Sequence, residues 1–167
     1  VKQDLYKYAI AIAKKVNYNN VGTVEFLVDK EDNVYFIEVN PRIQVEHTVT
    51  EMITGIDLIK TQIFVAGGYK LSDKQIKIYE QESIVTHGFA LQCRLTTEDP
   101  ENDFTPDYGT ITTYRSASGM GIRLDAGSIY QSYKVSPFFD SMLVKVSAHG
   151  RTLDGAVRKM TRALKEF

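Results

Sequence analysis

Two short apolar runs around a polar break constrain this chain more than any other feature. Residues 21–28 read VGTVEFLV and residues 34–39 read VYFIEV, with DKEDN between them. Both runs are too short for typical helices and rich in β-branched and aromatic side chains, so they predict two strands of one hairpin. A turn on Glu31 and Asp32 makes Lys30 face Asn33. It then opposes Val24 to Val39 and Phe26 to Ile37, which gives one fully apolar face and pins the register. The other face carries Glu25 directly opposite Glu38.

Like charges placed opposite each other across a strand pair are destabilising. At about 5 Å and an effective dielectric near 20 the repulsion is roughly 3 kcal/mol. A divalent cation offsets it, and Asn40, on the same face, offers a neutral oxygen; hard oxygen ligands suit magnesium or manganese. Two other readings stay open. The face is solvated and the glutamates point apart, or the turn slips by one residue and the pair becomes diagonal.

Polar residues continue at every second position beyond the strand. Pro41 ends the ladder, and Arg42, Gln44 and Glu46 extend the side that carries Glu38 and Asn40. Arginine clamps an anion through its planar fork. Glutamine and backbone N–H groups orient an oxyanion. A glutamate near an arginine and a metal stays ionised and serves as a general base. Such a row suits phosphoryl transfer with an anionic acceptor. The plain alternative is an Arg42–Glu46 surface ion pair and a turn at Gln44. His47 reads as a residue packed before a helix start, with a ligand or acid role as the alternative.

Around this segment the pattern is mixed. Residues 4–16 put Leu5, Ala9, Ile12, Ala13 and Val16 on one helical face. Residues 48–68 predict a short helix, a break near Gly55 and a longer helix stopped by Gly67-Gly68, with Thr48/Glu51 and Thr54/Asp57 as capping boxes. Residues 69–83 carry no periodicity. From His87 the chain turns to strands, with candidates at 88–95, 109–115, 122–125, 129–135 and 141–148. In the first of them Phe89, Leu91 and Cys93 face one way and Ala90, Gln92 and Arg94 the other. Leu153, Val157, Met160, Leu164 and Phe167 form a closing helical stripe. The fold class expected is α+β.

Bulk properties exclude more than they assign. The formal net charge is −1, which argues against nucleic acid or a membrane surface as partners recognised by charge. No apolar run is long enough to cross a bilayer, and the single cysteine, Cys93, forms no internal disulfide; no signal peptide leads the chain, but Val1 already lies at the edge of a helical pattern, so this excludes no compartment.

The run YFIEVNPRIQVEHTVTEMITGIDLIKTQI, followed by FALQCRLTTEDP, FTPDYG and SPFFDSMLVKV in that order, resembles the biotin carboxylase component of biotin-dependent carboxylases, an ATP-grasp enzyme. TTEDPENDFTPDYG is closer in wording to the pyruvate carboxylase branch than to the acetyl-CoA or other acyl-CoA carboxylases, which remain the alternative, as does a non-catalytic packing or dimerisation module. A carbamoyl-phosphate synthetase type of ligase shares the Glu-x-Asn-Pro-Arg run but not the Gln-Val-Glu-His continuation.

The resemblance implies residues 1–68 as the C-terminal part of an ATP-grasp domain, 69–85 as a connector, and 86–167 as an incomplete biotin carboxylase C-terminal domain of antiparallel sheet and helices. It implies ATP, Mg2+ or Mn2+, and biotin on a separate carrier domain. Glu25 and Glu38 would hold the metal of the nucleotide with Asn40, and Leu27 would lie near the base. Arg42 would steady anionic intermediates, Gln44 and the Val45 backbone would hold bicarbonate, and Glu46 would take its proton. Arg94 would meet biotin; its plain alternative is a strand-end ion pair with Asp140. Implied partners are bicarbonate, the carrier domain, the rest of the ATP-grasp and N-terminal domains, and a second copy through the stretch around Arg123. The implied compartment is the bacterial cytoplasm or mitochondrial matrix. The glycine-rich lid and phosphate-gripping lysine of that component are not in this sequence, so the expectation is a fragment, inactive by itself.

Overall fold

A computed structural model describes residues 1–127, 129–139 and 141–167. The element order is α1 (Lys2–Lys15), β1 (Thr23–Val28), β2 (Val34–Asn40), α2 (His47–Thr54), α3 (Leu58–Ala66), a 3-10 turn (Gln81–Ser83), β3 (Phe89–Thr96), β4 (Glu98–Asp99), β5 (Thr105–Pro106), β6 (Ile122–Ala126), β7 (Met142–Gly150) and α4 (Leu153–Glu166). The class is α+β. The chain divides into two compact units: residues 1–47 with 56–84, and residues 48–55 with 85–167.

In the first unit, α1 carries Asp4 in its first turn and Lys14 and Lys15 in its last, the arrangement that the helix dipole favours. Leu5, Ala9, Ile12 and Ala13 are half-buried while Val16 is 64% exposed. Thus four of the five expected face residues turn inward and the fifth lies past the helix end. β1 and β2 pair antiparallel. Tyr8, Phe26 and Phe36 form an aromatic chain, with ring centroids 6.5 Å and 6.2 Å apart. α3 begins at Asp57, whose side chain accepts from the Lys60 backbone N–H at 2.8 Å, and ends at Gly67. Gly68, at φ 89°, supplies the left-handed residue that stops it.

The second unit is a three-stranded antiparallel sheet in the order β3-β7-β6. One face packs on α4: Val144, Val146 and Ala148 meet Met160 and Ala163, with Leu91, Cys93 and Leu95 at the margin. The expected α4 stripe is shifted. Ala156, Met160 and Ala163 are the buried positions, while Leu153, Val157 and Leu164 are 52%, 43% and 41% exposed. Small residues let the helix approach the strands closely, so alanines take the centre of the contact and the bulky residues flank it.

Of the other strands expected from sequence, residues 109–115 and 129–135 contribute only an isolated bridge, Thr110 to Lys134. Asp140 lies outside the described residues, as does Ser128. Among the described residues no helix is long and apolar enough to cross a membrane.

Candidate functional site

The hairpin loop sets the register. The backbone N–H of Asp29 donates to the Asn33 carbonyl at 3.1 Å, and Asp32 sits at φ 64°. The loop is therefore three residues long with a left-handed last residue, a common hairpin closure. The Asp29 carboxylate accepts from the Asn33 side chain, the backbone of Asn33 and Glu31, and the Tyr35 hydroxyl. The Asn33 side chain leads the effects that hold its pKa below the ordinary value. The expected two-residue turn would have run the offset of Val24 and Val39 through to the loop. Instead Phe26 pairs with Phe36, not Ile37, and a bulge falls between Glu25 and Phe26. The extra residue, Ile37, is 52% exposed. Beyond the bulge the expected register returns, with Val24 opposite Val39 and Glu25 opposite Glu38.

The two carboxylates converge on one amide. Asn40 Nδ2 donates to Glu25 Oε1 at 2.9 Å and to Glu38 Oε1 at 3.1 Å. Gln44 Nε2 donates to the same Glu25 oxygen at 3.2 Å, and Gln44 Oε1 is buried with no hydrogen-bond partner. A buried acceptor without a donor is costly. Here it belongs to a cluster that concentrates negative charge, which is the electrostatic signature of a place for a cation or a donor-rich ligand. Among the described residues no three His, Cys, Asp or Glu side chains gather as a metal site. Two carboxylates and an amide fit a magnesium ion that also keeps water and phosphate oxygens in its shell. For Asn40 to present oxygen to such an ion its amide must turn over.

The loop after Pro41 is tightly folded. The Arg42 backbone N–H donates to the Asn40 carbonyl at 2.8 Å, and its guanidinium reaches the Ile43 carbonyl at 3.3 Å. The His47 backbone N–H and ring Nδ1 both meet the Gln44 carbonyl, at 3.3 Å and 2.7 Å. A carbonyl accepts, so Nδ1 carries the proton and His47 closes a turn. Arg42 and Glu46 are exposed, and Val45 is half-buried. Leu27, 58% exposed, lies two positions beyond Glu25 on β1. The structure thus brings Glu25, Glu38, Asn40 and Gln44 into one hydrogen-bonded group. An apolar groove of about 510 Å3 in the same unit, lined by residues including Tyr18, Leu58, Val65 and Ile78, contains none of the candidate residues.

Arg94 belongs to the second unit, exposed on β3 and opposite Lys145 of β7. The face of the sheet away from α4 is polar in two rows. Ser147 of the central strand pairs with Gln92 on one side and Arg123 on the other, and Lys145 likewise with Arg94 and Asp125. Arg123 donates to Asp125 through Nε and Nη2, both at 2.8 Å, and to Glu51 through Nη1 at 2.6 Å. Asp125 first, and Glu51 with it, raise its pKa further against burial.

The capping boxes expected at Thr48/Glu51 and Thr54/Asp57 are not formed. Asp57 is the N-cap of α3, and α2 begins at His47. Thr48 Oγ1 lies 2.6 Å from Gln92 Oε1 and 2.8 Å from Ser147 Oγ, while Glu51 bonds Arg123. Sequence reasoning placed Gln92 and Arg94 on this face but missed that Thr48, Glu51, Arg123, Asp125 and Ser147 join it. The available signal was the alternation of Gln92 and Arg94, and of Arg123 and Asp125, with apolar neighbours.

Residues 1–74 match the family described as carbamoyl-phosphate synthase L chain, ATP binding domain, and residues 92–167 match the biotin carboxylase C-terminal domain. The pyruvate carboxylase of Bacillus subtilis is 53% identical over all 167 residues, which cover 14% of that protein. The solved pyruvate carboxylase of Rhizobium etli with acetyl coenzyme-A superposes with a TM-score of 0.95 at 52% identity, over 99% of this chain and 16% of that one. The dimeric biotin carboxylase domain of the Hydrogenobacter thermophilus 2-oxoglutarate carboxylase, in complex with MgADP and bicarbonate, gives 0.88 at 40% identity, over 98% of this chain and 35% of that one. The chain therefore spans about one seventh of the length of the curated relatives it matches.

Proposed function

The chain belongs to the biotin carboxylase family, as part of the biotin carboxylase region of pyruvate carboxylases, and from that premise we propose that it supplies the metal- and bicarbonate-handling half of a MgATP-dependent carboxylation of carrier-bound biotin. The observation that carries this reading is the convergence of Glu25 and Glu38 on the Asn40 amide, with Gln44 joined to Glu25 and its own oxygen buried and unpartnered. In this reading Glu25 and Glu38, aided by Asn40, hold the ion of the nucleotide. A bound magnesium or manganese ion supplies charge neutralisation for the transferring phosphoryl group.

The chain's own residues do the rest. Leu27 offers apolar contact beside the base. Gln44 and the Val45 backbone hold bicarbonate, which Arg42 steadies by charge. Glu46 takes the bicarbonate proton, so that the resulting dianion attacks the γ-phosphorus, breaks its bond to the bridging oxygen and releases ADP. Arg94 receives the biotin oxygen on which negative charge develops during carboxyl transfer. The MgADP and bicarbonate of the Hydrogenobacter relative support these substrates, and its dimeric state supports a homodimer. The biotin carrier is a further proposed partner, and the bacterial cytoplasm or mitochondrial matrix the proposed compartment.

The proposal extends to domain limits of 1–68 and 86–167 joined by 69–85, and to a need for the remaining ATP-grasp and N-terminal domains. None of the described residues of the first unit is fully buried, while Leu27, Tyr35, Phe36 and Ile37 are each more than half exposed. An apolar surface of that kind suits coverage by further protein. The isolated chain, which has no glycine-rich phosphate loop, is expected to show no bicarbonate-dependent ATP cleavage.

Titration calorimetry with MgADP on a full-length carboxylase carrying this segment tests the site. Glu38→Gln should abolish or strongly weaken uptake. Equal uptake by the variant and wild type would overturn the metal assignment.

A further inference from the structure

We propose that the side-chain amide of Gln92 is a second hydrogen-bond donor to the ureido oxygen of biotin, beside Arg94, a role that rests on the biotin carboxylase reading above. Every group that carries the inference belongs to the second unit. Thr48 and Ser147 have no solvent exposure. Thr48 Oγ1 lies 2.6 Å from Gln92 Oε1 and 2.8 Å from Ser147 Oγ. A threonine hydroxyl has one proton, and an amide oxygen only accepts. Thr48 therefore donates to Gln92, and Ser147 donates to Thr48. The amide is held by its oxygen, which leaves the two N–H groups of Nε2 as its free end.

Arg94 follows Gln92 by two residues on β3, so both side chains leave the same face of the sheet, about 7 Å apart at the backbone. Among the described residues neither Gln92 Nε2 nor the exposed Arg94 guanidinium has a hydrogen-bond or ion-pair partner. The carboxylate of Arg94's own row, Asp125, lies two strands away, and both its oxygens accept from Arg123. The residue directly opposite Arg94 is Lys145, a buried second cation. Two cations opposite each other are destabilising by themselves, and they favour an oxygen that carries negative charge at this end of the face.

A carbonyl oxygen has two lone pairs and takes two donors. Two preorganised donors aimed at one oxygen that gains negative charge are the arrangement that stabilises an oxyanion. A guanidinium by itself offers several N–H groups along a planar edge and leaves the oxygen free to shift among them. A second donor, fixed at its other end by a buried hydroxyl, sets the oxygen's position. Gln92 meets that need because its acceptor end is already occupied and its donor end is not.

The test uses a full-length carboxylase carrying this segment, prepared without biotin on its carrier domain and supplied with free biotin. Carboxylation of free biotin, and bicarbonate-dependent ATP cleavage without biotin, are compared for wild type, Gln92→Glu, Gln92→Met and Arg94→Ala. Gln92→Glu keeps an acceptor for Thr48 and removes the donors. Gln92→Met removes the donors without adding charge. Both should lower kcat/KM for biotin by on the order of tenfold and change ATP cleavage far less. A wild-type value toward biotin in either variant, or equal losses in the two reactions, would overturn the donor role; should one variant fail to fold, the other decides by the same comparison. Arg94→Ala separates this inference from the reading beneath it. A biotin-selective loss in Arg94→Ala, with the Gln92 variants at the wild-type value, would overturn the donor role alone. Undiminished biotin carboxylation by Arg94→Ala would overturn the biotin assignment of this face, and the inference with it.

Discussion

Replacing Glu38 by glutamine is expected to strengthen the hairpin while removing its response to magnesium. Glu25 and Glu38 are direct partners across β1 and β2, and an oxygen of each lies within hydrogen-bond distance of one Asn40 nitrogen. For carboxylates roughly 5 Å apart the repulsion is about 1 kcal/mol in water and about 3 kcal/mol at an effective dielectric of 20. Glu38 is exposed and Glu25 half-buried, so solvent screening puts the penalty near the lower figure. Glutamine keeps an acceptor for Asn40 and removes the charge. In the presence of EDTA, amide hydrogen exchange in β1 and β2 should therefore slow by about fivefold, which corresponds to about 1 kcal/mol. Wild type should gain protection as MgCl2 is added, by about 2.7 kcal/mol at a hundred times Kd, and the variant should gain none. Function would thus be maintained at a cost in local stability. Faster exchange in the metal-free variant, or an undiminished response to magnesium, would refute the claim that the two charges oppose each other across the strands.

Three further outcomes follow from the geometry. Arg123→Met should destabilise the second unit by about 3 kcal/mol, more than Glu51→Gln does, because it removes the charge-assisted bond to Glu51, only 8% exposed, together with both bonds to Asp125, while Glu51→Gln leaves Arg123 its two bonds to Asp125; urea unfolding of both variants checks the order. Gly121→Ala should cost more than 2 kcal/mol in the same assay, since Gly121 sits at φ 84° and a Cβ would lie 2.5 Å from the His149 carbonyl oxygen. Asp29 has a folded pKa below its ordinary 3.8, so its contribution to hairpin stability is fully present above that value and is lost as pH falls through the lower folded one; Asp29→Ala should weaken the hairpin at neutral pH and have no effect at a pH below the folded pKa, read by amide exchange or NMR.

The hairpin's existence and its carboxylate pair were legible because strand periodicity is local and one apolar face admits a single register near the pair. The bulge at Ile37 was not. It follows from the three-residue closure at Asp29 and Asn33, and Asp29 offers enough oxygens to stabilise that closure over the two-residue one. α4 was legible as a helix from its period, yet its buried line runs through Ala156, Met160 and Ala163 rather than through the larger side chains. How closely a helix approaches a sheet depends on the partner surface, and Val144 and Val146 are distant in sequence from α4.

By itself the sequence determined the helices, the hairpin strands and the strands of the β3-β7-β6 sheet, the family resemblance, and which side chains were candidates to meet a metal, bicarbonate and biotin. Those properties depend on spacing within a few residues or on motifs read in order. Tertiary structure alone decided what Thr48 and Glu51 do. Their Thr-x-x-Glu spacing suits a helix cap equally well, and the choice falls to Gln92, Arg123 and Ser147, 44, 72 and 99 residues away from their partners. A buried hydroxyl or carboxylate takes whichever partner the packed fold leaves within reach, and no local pattern encodes a bond between a helix and strands so far from it in the chain.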